Sequence, residues 1–137
     1  MGEKWTTNNI PDLTGKVIIV TGANCGIGYE TAKEFARKRA KTIMACRDMN
    51  KAQAAHDQIL AEIPDALAEV MQLDLASLAS VFRFANAFKE KYDQLDVLVN
   101  NAGIMWAPYG KTEDGFESHF GTNHLGHFAL TGLLINL

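Results

Sequence analysis

The sequence predicts an α/β fold, a doubly wound parallel sheet with its strands in the order 3-2-1-4. Three observations carry this. Four short apolar runs, at residues 16–20, 42–46, 68–73 and 96–100, alternate with longer stretches of helical pattern, and strict alternation of strand and helix builds parallel sheets through right-handed crossovers. The first run passes straight into a glycine-rich turn that opens a helix, Thr21-Gly22-Ala23-Asn24-Cys25-Gly26-Ile27-Gly28. The fourth, Asp96-Val97-Leu98-Val99-Asn100, has the unbroken apolar character of a strand covered on both faces.

The elements follow in order. Leu13-Thr14-Gly15 reads as a turn delivering the first strand. The helix after the glycines is expected from Gly26 to about Lys38, with Arg37, Lys38 and Arg39 near the C-terminal end where the helix dipole favours cations. After the second strand, Arg47-Asp48-Met49-Asn50 begins a helix reaching about Ile63 and closed by Pro64-Asp65. Beyond the third strand, Asp74 to Ser77 turns into a helix running to about Lys91, with an apolar stripe read as Val81, Phe82, Phe84, Ala85 and Phe88. This alternation occupies almost all of the 137 residues, so the chain reads as one domain without repeat or linker.

Composition narrows the function classes. With 47% hydrophobic and 21% charged residues the chain can bury a real core. A net charge of −3 gives no basic footprint, which argues against nucleic acid as a partner. Cys25 and Cys46 make neither a metal nor a redox spacing, and a reduced cytoplasmic setting is the simplest reading. No run is long enough to span a bilayer. Met1-Gly2-Glu3-Lys4-Trp5-Thr6 formally satisfies an N-myristoylation pattern, which so short a motif does by accident, and it lacks the apolar core of a signal peptide. Trp5 is expected to pack against the domain edge.

In a doubly wound sheet the ligand lies at the C-terminal ends of the strands, beside the switch in strand order. After strand 1 come the glycines, after strand 2 Cys46-Arg47-Asp48, after strand 3 Asp74-Leu75, and after strand 4 Asn100-Asn101-Ala102-Gly103. Glycine serves where a turn needs positive φ or where a Cβ would block close approach of the backbone. The first N–H groups of the following helix lack partners and sit at its positive end, so they are aimed at an anion, most naturally the pyrophosphate of a dinucleotide. Taken alone, the turn has a second, lesser reading as a plain tight turn. Its spacing is Gly-x-x-x-Gly-x-Gly rather than Gly-x-Gly-x-x-Gly. No Lys-Ser or Lys-Thr follows the last glycine, which sets a Walker loop aside.

Taken together, Thr21-Gly22-x-x-x-Gly26-Ile27-Gly28, Asp74-Leu75, Asn100-Asn101-Ala102-Gly103 and Asn123-His124-Leu125-Gly126-His127-Phe128 resemble the short-chain dehydrogenase/reductase family. Ala45-Cys46-Arg47-Asp48 and the segment from Asn123 to Phe128 resemble its retinol-dehydrogenase-like branch. The resemblance implies a Rossmann-type fold, of which this chain holds the cofactor-binding part without the later strands. It implies an oxidoreductase that moves hydride between nicotinamide and an alcohol or carbonyl. Gly22, Asn24, Gly26, Ile27 and Gly28 would form the pyrophosphate turn, braced by the Asn24 side chain. Asp74 would accept from the adenine amino group beside the Leu75 N–H. Asn101, Ala102 and Gly103 would line the cofactor, with Asn101 steadying the central strand, while Asn100 belongs to the strand end. Asn123 matches the family's catalytic asparagine, which holds a water connecting a lysine to solvent.

Arg47 stands where the adenosine ribose should lie, and a guanidinium can take a 2′-phosphate bidentately, so NADP is favoured over NAD. Cys46 occupies the place where NAD-preferring relatives carry an acid and would not compete for the ribose hydroxyls. Asp48 keeps NAD open as the alternative unless it caps the next helix. Bland readings stand beside these: Arg47 as a solvated arginine, Asp74 as a helix cap, Asn123 as tolerated polarity within a helix.

The family's serine and Tyr-x-x-x-Lys lie beyond the Asn123 segment. Tyr29-x-x-x-Lys33 falls on the first helix with no serine-bearing strand before it and reads as a decoy. Ser77, Ser80 and Ser118 have no paired base, so nucleophilic hydrolysis is unsupported. His119, His124 and His127 lack a Cys or acid at ligand spacing and read as packed or surface histidines, with no metal site. The chain is therefore expected to be the cofactor-binding half of a larger enzyme, inactive alone, with an apolar sheet edge where a fifth strand belongs and homo-oligomerisation open. Ile104-Met105-Trp106-Ala107-Pro108-Tyr109 would form an apolar wall near the nicotinamide and suggests a hydrophobic alcohol or carbonyl substrate. Two other classes fit less of the sequence: a non-catalytic NAD(P)-binding module, and an S-adenosylmethionine methyltransferase. The latter should carry an acid after strand 2 and has no use for Asn-Asn-Ala-Gly.

Overall fold

The computed structural model describes Gly2 and residues 4–137, so part of the Met1 to Thr6 pattern lies outside the described residues. Four parallel strands, β1 (Val17–Thr21), β2 (Lys41–Cys46), β3 (Ala68–Gln72) and β4 (Val97–Val99), form one sheet in the order β3-β2-β1-β4. The predicted doubly wound order is the observed one. Helices α1 (Gly26–Arg37), α2 (Met49–Glu62) and α3 (Leu78–Lys91) make the crossovers, and a π-helical turn (Phe120–Leu125) runs directly into α4 (Gly126–Leu134).

Strand β1 is buried along its whole length because it is central and covered on both sides. Side chains alternate across a strand. Val17 and Ile19 therefore join Ile43, Val81, Phe84, Phe88, Leu130 and Leu134 on the α3–α4 face. Ile18 and Val20 join Met44, Ala52 and Ile59 on the α1–α2 face. Each fully buried isoleucine stabilises the sheet by about 1.5–3 kcal/mol. Small residues set the depth of α1: Gly28, Ala32 and Ala36 form its buried stripe. The start of β1 is pinned to β4 by Asp96, whose carboxylate accepts the Val17 N–H at 2.8 Å and the Lys16 ammonium at 3.0 Å. Those two donors hold the Asp96 carboxyl below the usual carboxylate range.

Several expectations need correcting. Phe82 is 50% exposed and lies off the stripe. Val81, Phe84, Ala85 and Phe88 follow the i, i+3, i+4, i+7 rule, and Phe82 falls roughly 100° around the helix from Val81. Trp5 is 68% exposed and does not pack against the domain edge. Strand β4 is covered less fully than its apolar run implies: Leu98 and Val99 pack on opposite cores but are only partly buried, Val97 is exposed, and among the described residues β4 pairs with β1 alone. The apolar run there belongs to an edge, where Leu95, Leu98, Leu134 and Leu137 line an open groove of about 200 Å³. Strand bounds also shift by a residue or so, with Thr21 added to β1 and Lys16, Leu73, Asp96 and Asn100 left outside the ladder.

Candidate functional site

The C-terminal ends of the four strands open into one cleft of about 450 Å³. From the turn after β1 it is lined by Gly22, Asn24, Ile27 and Gly28. Arg47 and Asp48 line it after β2, Asp74 and Leu75 after β3, and Asn101, Ala102 and Gly103 after β4. Gly26 and Asn123 are not in the lining, although both lie on elements that border it. Sequence reasoning missed Lys51, which sits in the first turn of α2 and adds a second cation to the cleft lining, its ammonium 3.8 Å from the Asp48 carboxylate.

The turn has the shape expected of its glycines. Gly22 and Gly26 have φ of 66° and 58°. A Cβ at Gly22 would press on Ala102, and one at Gly28 would fall on the Gly22 carbonyl and the Asn101 amide nitrogen, whereas a Cβ at Gly26 would meet open space. The side chain that braces this turn is Asn101, not Asn24: its Nδ2 donates to the Thr21 carbonyl at 2.9 Å and lies 3.4 Å from the Gly22 carbonyl. Asn100 instead reaches Thr131 on α4.

Capping separates the three crossover helices. Asp48 caps α2 by accepting from the Lys51 N–H at 3.1 Å. Ser77 caps α3, with Asp114 accepting from the Leu78 N–H at 2.8 Å. Asp74 is not the cap of α3; its Oδ1 accepts from the Ala76 N–H at 2.9 Å. Helix α1 has Cys25 at its N-cap and no side-chain cap, so its first N–H groups, at the border of the cleft, lack a partner from a capping residue.

Asn123 sits in the π-helical turn, not in regular α-helix. Its amide clasps the backbone of Ile104, with Oδ1 accepting from the N–H at 2.8 Å and Nδ2 donating to the carbonyl at 2.9 Å. The side chain thus fastens the segment after β4. Gly126, which follows the turn, lets α4 settle on Leu75: a Cβ there would strike the Leu75 carbonyl.

Comparison with known proteins agrees with this geometry. The family model described as short chain dehydrogenase matches residues 16–137. The chain belongs to the short-chain dehydrogenase family. Within it the chain falls in the retinol-dehydrogenase-like branch: it is 49% identical over 129 residues to retinol dehydrogenase 12 of Mus musculus, covering 94% of this chain and 40% of that protein. It is 51% identical over 124 residues to retinol dehydrogenase 13 of Homo sapiens, covering 90% of this chain and 38% of that one. The chain therefore spans about two fifths of the length of these curated relatives. Among solved structures, an uncharacterised protein of Mycobacterium paratuberculosis superposes with a TM-score of 0.85 at 48% identity, over 96% of this chain and 46% of that one. A metagenomic short-chain oxidoreductase in complex with NADP superposes with a TM-score of 0.78 at 28% identity, over 91% of this chain and 57% of its own.

In this member of the family the histidines divide. His119 bonds Glu117 at 2.9 Å, and His124 stacks between Phe120 and Phe128. His127 is buried and bonds the Thr21 hydroxyl at 2.8 Å. Thr21, quoted in the glycine motif without a role of its own, is a second residue whose part sequence reasoning missed: its Oγ1 also accepts the N–H groups of Asn101 and Ala102, both at 2.9 Å. The decoy pair Tyr29 and Lys33 lies outside the cleft lining, with the Lys33 ammonium over the Tyr29 ring and paired with Glu30. Of the apolar segment after β4 only Ile104 lines the cleft; Met105, Trp106 and Tyr109 are strongly exposed. Among the described residues no helix is long and apolar enough to cross a membrane.

Burial holds the His127 imidazole below its ordinary value of 6.5, opposed by its bond to the Asn123 carbonyl. Unfolded chain takes up the proton first as pH falls, so this contribution to stability is full above about 6.5 and is lost as pH drops through the lowered native value. Urea unfolding midpoints should decline below pH 6.5, and less so in His127→Gln; parallel curves for the two proteins would contradict this.

Proposed function

We propose that this chain is the cofactor-binding half of an NADP-dependent short-chain dehydrogenase that interconverts a hydrophobic alcohol and its carbonyl. The observation that carries the reading is the convergence of an uncapped helix N-terminus, two cations and Asp74 on one cleft. The N–H groups of residues 26–28 would hold a pyrophosphate. Arg47 and Lys51 would hold a 2′-phosphate, and Asp74 with the Leu75 N–H would meet an adenine edge. Ile27, 81% exposed at the cleft lip, offers an apolar surface for a ligand to cover. Ala102 and Gly103 leave room at the nicotinamide end. A nicotinamide bound there donates or accepts hydride. Asn123 and Ile104 hold the wall beside it in place. Proton transfer is assigned to a serine, a tyrosine and a lysine further along the protein, as the resemblance implies. The NADP complex of the metagenomic relative and the names of the retinol dehydrogenases support the cofactor and the apolar substrate class.

Titrating NADPH, NADH and S-adenosylmethionine into the chain by fluorescence or calorimetry tests this reading. NADPH should bind tightest and S-adenosylmethionine not at all; the reverse order would remove it. Turnover should be absent from the 137 residues and present in a version extended through a Tyr-x-x-x-Lys, and robust activity of the shorter form would move proton transfer back into this chain.

A further inference from the structure

The imidazole of His127 is the buried polar group that the nucleotide reading leaves without a task. It stands in the first turn of α4 and joins two elements far apart in sequence. Its Nδ1 lies 3.0 Å from the main-chain carbonyl of Asn123, and its Nε2 lies 2.8 Å from the Thr21 hydroxyl. A carbonyl only accepts, so Nδ1 carries the proton; in the neutral ring Nε2 is then an acceptor and the Thr21 hydroxyl must donate to it. That leaves the two lone pairs of Thr21 Oγ1 for two donors, and two are in place: the N–H of Ala102, and that of Asn101, which it shares with the Val99 carbonyl at 3.0 Å. One arrangement of protons satisfies every atom in the set. Without the ring, the hydroxyl hydrogen has only the longer contact to the Val99 carbonyl, at 3.3 Å, and turning toward it swings a lone pair away from the two amides.

We infer that His127 is a positioning residue of the nucleotide site. It sets the direction of the Thr21 hydroxyl, and through it the cofactor-facing segment Asn101-Ala102, while its other nitrogen ties the Asn123 carbonyl to the same ring. The two walls of the cleft, one after β4 and one in the π-helical turn, are thereby set by a single side chain. This rests on the reading of the cleft as a nicotinamide nucleotide site.

Three measurements test it. Imidazole 15N shifts in the wild-type chain should show a neutral ring protonated on Nδ1. Amide hydrogen exchange should report on Asn101 and Ala102, and calorimetry on NADPH. His127→Leu fills similar volume without either bond; exchange at the Ala102 amide should quicken about tenfold, that at Asn101 less because the Val99 carbonyl still accepts from it, and NADPH binding should weaken about five- to tenfold, the scale of one hydrogen bond lost from a buried donor. In His127→Gln, Oε1 reaches the position of Nε2 and should restore both values to within about twofold of wild type. His127→Asn keeps a donor for the Asn123 carbonyl but falls short of Thr21, and should behave as the leucine variant does. Packing alone would instead leave leucine like wild type and glutamine no better than leucine. A wild-type ring protonated on Nε2, or unchanged exchange in His127→Leu while NADPH still binds the wild type, overturns this role alone. Absence of NADPH binding by wild type overturns the nucleotide reading and the role with it.

Discussion

Replacing Arg47 by alanine should raise the dissociation constant for NADPH about 10- to 100-fold while changing that for NADH by less than about twofold. The two nucleotides differ only in the 2′-phosphate, so the contrast isolates one contact. A hydrogen bond to a charged group contributes about 1.5–3 kcal/mol, and about 1.4 kcal/mol is a factor of ten. The surroundings of Arg47 favour the full effect. Asp48, the adjacent carboxylate, spends one oxygen on the Lys51 N–H as the cap of α2, and its other oxygen lies 3.8 Å from the Lys51 ammonium, so its charge already has a partner. Cys46, at the end of β2, is buried, and burial pushes its thiol up to about 11, so it adds no negative charge. Lys51 is a point charge on a flexible stem, and Lys51→Ala should weaken NADPH by only about two- to fivefold. Both effects should shrink as salt rises, because exposed charges are screened over about 10 Å at 0.1 M. Equal losses for both nucleotides in Arg47→Ala would remove the 2′-phosphate from this position.

Local patterns made most of the cleft lining legible in the sequence. The order of the sheet follows from alternation, and the cleft from what stands after each strand. Arg47, Asp74 and Asn101 meet because parallel strands all end at the same edge. What stayed hidden has no local signal. The bond between Thr21 and His127 joins residues 106 apart in the chain, and nothing in either neighbourhood announces the other. The π-helical turn at Asn123 differs from α-helix by one residue in the span of its backbone bonds, and it lies between two long-range contacts, Gly126 on Leu75 and Asn123 on Ile104, that no local pattern announces. Phe82 misled because an aromatic beside a helical stripe looks like part of it until the roughly 100° step per residue is applied. Strand β4 falls at the edge that the order 3-2-1-4 implies, and what its apolar run hid was only how incompletely that edge is covered.

Substituting alanine at Gly28 should destabilise the fold by about 1–3 kcal/mol and abolish measurable nucleotide binding, whereas the same change two residues earlier at Gly26 should not disrupt the packing. The two glycines look alike in sequence, and their geometry separates them. At Gly28 the new methyl group would lie against the Gly22 carbonyl and the Asn101 side-chain nitrogen. Neither can yield: Gly22 bonds the Ala45 carbonyl through its N–H at 2.9 Å, and Asn101 is held by the Thr21 carbonyl and hydroxyl. Helix α1 cannot lift away either, because Ala32 and Ala36 lie flat on the sheet at 0% and 2% exposure. The methyl group must therefore push apart the β1 turn and the Asn101 segment that form the cleft. At Gly26 the space is open and only the backbone angle resists, at a cost of about 1–2 kcal/mol for a side chain in the left-handed region. Unfolding midpoints alone can be similar for the two variants, so NADPH titration decides. Binding should survive in Gly26→Ala with at most a modest loss and vanish in Gly28→Ala. Retained affinity in Gly28→Ala would mean that α1 and the strand-end residues are not packed as tightly as the Gly28 contact requires.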